Sequence, residues 1–204
     1  MSEIAPKQSN LPLEYSTKQN QLNILGFWIF LGAELALFAT LFATYLVLVS
    51  RTAGGPGPEE LYELKTVLIE TFLLLTSSFT CGLAVYEMRR GKQAGMIGWL
   101  IVTILLGIGF LYFEIEEFIL YAVHEGATMQ TSAFLSSFFA LVGTHGLHVT
   151  IGIFWILIII LQVLKRGLNA DTARKVFISS LYWHFLDVVW IFLFTLVYLT
   201  GMVS

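Results

Sequence analysis

Several side chains that could do chemistry lie inside runs that otherwise read like hydrocarbon. In GTHGLHVTIG, His145 and His148 stand three residues apart, and in YWHFLDVVW so do His184 and Asp187. On a helix, residues three apart share a face. Such groups need a reason to be there, because an ionised Asp at the centre of a membrane helix costs roughly +2.5 to +3.5 kcal/mol on insertion scales. Three chemistries suit the residue types. Histidine and carboxylate ligate zinc or non-haem iron. Two histidines on facing helices, His145 or His148 opposite His184, can hold a haem. Imidazoles and acids can also hydrogen-bond one another across packed helices. Glu34, in LGAELALFA, adds a proton carrier or a structural acid, since an intramembrane ionisable residue is a functional candidate by default.

The metal reading has little beneath it. A di-iron bundle uses Glu-x-x-His pairs, and none occurs here. Cys-x-x-Cys-His, a Walker loop, Gly-x-Ser-x-Gly and a paired-cysteine copper site are absent as well. The single cysteine, Cys81, makes no internal disulfide. The Gly-x-Gly at Gly107–Gly109 follows no strand and reads as a packing site. This chain alone shows no credible redox centre.

The elements that must position these groups are membrane spans. Charged residues make up 12% of the chain, against about 25% in soluble domains. Hydrophobic residues make up 57%, and the mean hydropathy is +0.80. The net charge of −3 argues against a nucleic-acid partner. Five apolar runs, about 24–49, 66–86, 95–113, 132–164 and 176–203, are long enough to cross a bilayer, which takes about 20 residues. Each must be helical, because lipid offers backbone groups no partner. The expected fold is an all-α five-helix transmembrane bundle, with a polar cytoplasmic tail at 1–23 and one membrane domain at 24–204. The first run is too long for a signal-peptide core and reads as a retained span.

Lys and Arg set the orientation. Nine lie in the N-terminal tail and the second and fourth connectors, and two, Arg51 and Lys65, in the first. The positive-inside rule then puts the N-terminus in the cytoplasm and the C-terminus outside. The outer connectors carry Glu59, Glu60, Glu63, Glu116, Glu117 and Glu125.

At about 1.5 Å per residue, Glu34, His145, His148, His184 and Asp187 all fall in the middle third of the membrane. Glu70 lies nearer the outer surface and Glu114 nearer still, and Glu70 joins Glu34 as a candidate proton-linked or lipid-cleft acid. A ridge of small or polar residues, Ser136, Ala140, Thr144, His148 and Gly152, would let another helix approach the fourth. One buried polar layer joining the first, fourth and fifth helices is expected. It holds no Lys or Arg, so its carboxylates are neutral or paired with protonated histidine. Trp28, Tyr45, Tyr86, Trp99, Tyr121 and Tyr182 fall near span ends, as interface belts do. Trp183 and Trp190 are expected to pack or to face lipid.

GTHGLHVTIG (143–152) and YWHFLDVVWIF (182–192) together resemble subunit III of the heme-copper terminal oxidases. FWIFLGAELALFATLFATY (27–45) resembles that family's first conserved span, so Glu34 falls on its intramembrane carboxylate. FEIEEF (113–118) resembles the end of a later span, and the likeness covers about the whole chain. RTAGG (51–55) and the five-helix length are similar to the quinol-oxidising branch. The resemblance implies a multi-pass subunit of a bacterial cell membrane with no cofactor of its own. Haems and copper would belong to subunit I, which reduces oxygen and pumps protons. This chain would pack on subunit I beside subunit II and a small subunit IV, bind phospholipid and support proton uptake. The two helices that longer relatives carry would be supplied by the catalytic subunit. Subunit III of a cytochrome c oxidase and a stand-alone haem- or metal-binding bundle are the alternatives.

Overall fold

The computed structural model describes residues 11–124 and 126–203. Among these, five helices are long and apolar enough to cross a membrane. They are α1 (Lys18–Leu48), α3 (Leu64–Arg89), α4 (Gln93–Ile119), α5 (Ala133–Arg166) and α6 (Ala170–Leu193), with short helices α2 (Pro58–Leu61) and α7 (Thr200–Val203). α4 and α6 each end in a π-helical turn, Leu120–His124 and Phe194–Leu199. The expected all-α membrane bundle is present.

Local chemistry sets the helix ends. Thr17 and Ser132 accept from the backbone N–H groups of Asn20 and Leu135, three residues on. Asn169 opens α6 with a reciprocal capping box to Thr172. Gly91 (φ 72°) turns α3 into α4, and Gly167 (φ 69°) stops α5, both in the left-handed region open to glycine.

α5 and α6 pack on each other and both meet α1, while α3 packs on α4 and α6, and α4 on α5. The core runs between them through Phe38, Leu74, Cys81, Met88, Phe110, Phe138, Trp183 and Trp190. α6 approaches closely because glycines face its rings. A Cβ on Gly107 would lie 2.8 Å from the Trp183 ring, and one on Gly152 3.1 Å. The expected ridge on α5 is therefore used only in part. Gly152 meets α6 and His148 meets α1, but Ser136 is exposed and bonds the carbonyl of Met129 in its own loop.

The aromatic belt also needs correction. Trp28, Tyr86 and Trp99 are exposed, whereas Tyr45, Tyr121 and Tyr182 are buried. Their hydroxyls find partners inside, Tyr62, Glu117 and the His148 carbonyl. Trp183 and Trp190 are both buried and donate to Ser77 and Thr71 of α3 at 3.0 Å.

The segment expected as a polar tail packs where it is described. A 3-10 turn at Leu13–Tyr15 buries Glu14 fully, and Arg89 donates to it at 2.9 and 2.8 Å. Tyr15 packs edge-on against Phe177, which also carries the Arg89 guanidinium over its ring. Residues 1–10 lie outside the described residues.

The ends of the bundle differ in charge. One gathers Arg89, Arg90, Lys92, Lys165, Arg166, Arg174 and Lys175, and is called here the basic end. The other, with Glu59, Glu63, Glu116 and Glu117, is the acidic end. It is sealed by Tyr62, which bonds Tyr45 and packs against Phe138 and Tyr198. Burial, then the Tyr45 hydroxyl beside it, hold the Tyr62 phenol well above its ordinary range.

Candidate functional site

The polar groups between the helices form separate pairs, where one continuous layer was expected. Glu34 of α1 meets His148 of α5, with Oε2 3.1 Å from Nε2 and each side chain 15% exposed. The other ring nitrogen of His148, Nδ1, lies 2.7 Å from the Thr144 carbonyl. A carbonyl only accepts, so Nδ1 carries a hydrogen. One proton therefore sits between Nε2 and Glu34, either on the acid as a neutral pair or on the ring as an ion pair. Tyr182 of α6 donates to the His148 carbonyl and ties the third helix to this pair.

His184 and Asp187 face α3, not α5. The Ser78 hydroxyl lies 2.7 Å from His184 Nδ1 and also adjoins Asp187. Asp187 Oδ1 is buried without a hydrogen-bond partner. His145, three residues from His148, points elsewhere. Its ring is fully buried, both nitrogens lack a hydrogen bond, and it lies among Phe38, Phe110 and Trp190 with centroids at 6.4, 5.8 and 5.5 Å. Three residues on a helix turn through about 300°, so the two imidazoles diverge by about 60°, enough to face different neighbours. Phe38 of α1 packs edge-on against both rings. Among the described residues, no three His, Cys, Asp or Glu side chains come together so as to hold a metal ion.

Between α1 and α6 runs an apolar groove of about 570 Å³ lined by Trp28, Leu35, Phe42, Phe185, Val188 and Phe192. His184 lies on its wall as the one titratable group.

A second polar cluster lies at the acidic end. Glu117 accepts from Tyr121 at 2.5 Å and from Tyr198 at 2.9 Å, one phenol on each oxygen. Each of these tyrosines sits in one of the two π-helical turns. Such turns are rare and frequent at functional sites. Glu70 and Glu114 lie close by. Sequence reasoning named Glu70 but assigned Glu117 to an outer connector. The available signal was the spacing of Glu114 and Glu117, which puts both on one helix face, where they are buried while Glu116 is exposed.

The sequence matches the family described as Cytochrome c oxidase subunit III over residues 13–202. The chain belongs to the cytochrome c oxidase subunit III family. It is 65% identical over 194 residues to a Bacillus subtilis protein named Quinol oxidase subunit 3, covering 95% of each chain. A Staphylococcus saprophyticus protein named Probable quinol oxidase subunit 3 is 55% identical, covering 94% of this chain and 95% of that one. A Bacillus sp. PS3 protein named Cytochrome c oxidase subunit 3 is 53% identical, covering 95% and 93%. The family is that of the heme-copper oxidases, as the two long motifs suggested, and the chain is a multi-pass membrane protein. His148, inside the first of those motifs on α5, thus meets Glu34 on the α1 stretch that resembles the family's first conserved span.

Proposed function

We propose that this subunit III is the accessory, cofactor-free member of a proton-pumping quinol oxidase of the bacterial cell membrane. It packs on the catalytic subunit I beside subunit II and a small subunit IV, stabilises it, binds phospholipid and supports proton uptake through Glu34. The haems and copper lie in the partner. One observation carries this reading: His148 engages both ring nitrogens, with Thr144 and Glu34, and His184 engages Nδ1 with Ser78. The Glu34 and Ser78 bonds cross between helices. The α1–α6 groove and its apolar rim suit a partner span or an acyl chain, and the charge difference between the ends supports a cytoplasmic N-terminus.

The test is one gently solubilised preparation, with its absorption spectrum, subunit masses and oxidation of a quinol compared with that of reduced cytochrome c. The expected result is a haem-containing complex that oxidises quinol, and a colourless chain once this subunit is separated. A Soret band or stoichiometric metal on the separated chain would sink the reading. Oxidation of cytochrome c alone would move it to the branch named by the PS3 relative. Glu34→Gln is expected to lower the proton-to-electron ratio or shorten the active lifetime. Unchanged pumping and lifetime would make Glu34 structural.

A further inference from the structure

The carboxyl groups at the acidic end are unlike those of the Glu34 pair. Glu70 of α3 is fully buried, and neither of its oxygens has a hydrogen-bond partner. Glu114 of α4 is 3% exposed, and its Oε1 is also unpartnered. Glu117 is close enough for its charge to act on both. No Lys or Arg forms an ion pair with any of them among the described residues. Lys65, five residues from Glu70, lies instead in a groove with Leu68, Ile69 and Phe72.

Among the described residues, the groups facing the cluster are acids, phenols and one imidazole. α3 offers Glu63 at its start and Glu70. α4 and its π-helical turn offer Glu114, Glu116, Glu117 and Tyr121. The turn after α6 offers Tyr198, and α2 leads into Tyr62, which is bonded to Tyr45 of α1. From α5 comes His145, one residue before Gly146, against which the Glu114 carboxyl lies. Three buried carboxylates with no cation cannot all be ionised, because each repels the others and none is solvated. The hydrogen bonds say which one is. Both phenols donate to Glu117, which stabilises its charged form, while Glu70 receives no donor at all.

A cavity of about 230 Å³ touches this cluster at Glu117 and Tyr121 and is lined outward by Thr66, Glu63 and Glu116. It is roomy and polar enough for water. A metal or alkali ion fits it poorly. Glu117 meets the cavity with both oxygens already facing phenol hydrogens, and the described acids do not converge in a metal-holding geometry.

We propose that Glu70, Glu114 and Glu117 form a proton-binding site at the acidic end, holding exchangeable protons on Glu70 and Glu114 beside an ionised Glu117 and reaching water through the cavity at Thr66. Glu117 is the one of the three acids on the cavity wall. A carboxylic O–H of Glu70 or Glu114 therefore passes its proton to the Glu117 carboxylate, which hands it to cavity water, leaving one new carboxylate and one hydrated proton with no other reactant. The two π-helical turns have a role in this: each re-aims a tyrosine onto one oxygen of Glu117. The site does not depend on which electron donor the complex uses, and it lies at the opposite end of the bundle from the basic connectors.

Infrared spectroscopy of the assembled complex in H₂O and D₂O reads protonated carboxyls directly. Glu70→Gln and Glu114→Gln are each expected to remove one protonated-carboxyl band that shifts on deuteration. Tyr198→Phe, which takes a donor from Glu117, is expected to add such a band as Glu117 gains a proton. Thr66→Leu, which narrows the cavity, is expected to slow deuterium exchange of the bands. An unchanged carboxyl spectrum in both Gln variants overturns the proposal. So does loss of the wild-type bands on adding Na⁺ or Ca²⁺, which would make this a cation site. Should the Gln variants fail to assemble, Tyr198→Phe decides, and no new band in it overturns the proposal.

Discussion

Gly146→Ala tests the packing that holds the acidic cluster in place. A Cβ at Gly146 would sit 2.5 Å from both Glu114 carboxylate oxygens and 2.7 Å from the carbon between them. Ordinary contact begins near 3.4 Å, so the carboxyl would have to retreat by about 0.9 Å, the difference between 3.4 and 2.5. It is the end of a flexible side chain, but it is 3% exposed and has no space open to lipid. Overpacking of this kind costs about 1–3 kcal/mol. Alanine gives back up to about 1 kcal/mol of helix propensity. Over nearly all of that range the clash wins, and Gly146→Ala is expected to destabilise by up to about 2 kcal/mol. Glu114→Ala removes the clashing group, so the double variant should be more stable than the sum of the singles by about 1–3 kcal/mol. The assay is heat-induced loss of this subunit from the purified complex, for wild type, both singles and the double. If Gly146→Ala held on as well as wild type, or the double lost exactly the sum, the contact would not be as tight as argued.

Glu34→Gln keeps a donor for His148 Nε2, since Nδ1 is committed to Thr144, and should cost under about 1 kcal/mol, whereas Glu34→Leu strands that nitrogen at about 1–3 kcal/mol; equal retention of the two variants in the complex would refute the pairing. His184→Ala should loosen the α3–α6 contact by about 0.5–1.5 kcal/mol and lower subunit content. The haem spectrum of complex that does assemble should stay intact; loss of a haem band at normal content would speak for a ligand role. Arg89→Ala should free the Leu13–Tyr15 turn that Glu14 anchors, seen as faster proteolysis ahead of Lys18, and unchanged cleavage would count against the anchor.

Much of the architecture was legible in the chain. Apolar runs of span length leave helix as the only backbone solution in lipid, whereas the stops and starts at Gly91, Thr17 and Asn169 came from the structure. The spacing of His145 and His148 showed that α5 carries a polar face. It did not show that about 60° of divergence sends His148 to Glu34 and His145 to Phe110 and Trp190. Tyr45, Tyr121 and Tyr182 were assigned to the surface because depth along a span can be counted from sequence, but direction around it cannot.

Depth, helicity and the imbalance of charge between the ends follow from composition along one dimension, so the sequence by itself determined them. Which acid meets which donor depends on rotation and closeness between helices far apart in the chain, and only the tertiary structure decided it. It brought Glu34 to His148, 114 residues away, and Tyr198 to Glu117, 81 residues away. The physical reason is range: a hydrogen bond forms or fails over less than 1 Å, and that distance is set by side chains such as Trp183 against Gly107 and Gly152 that no local pattern encodes.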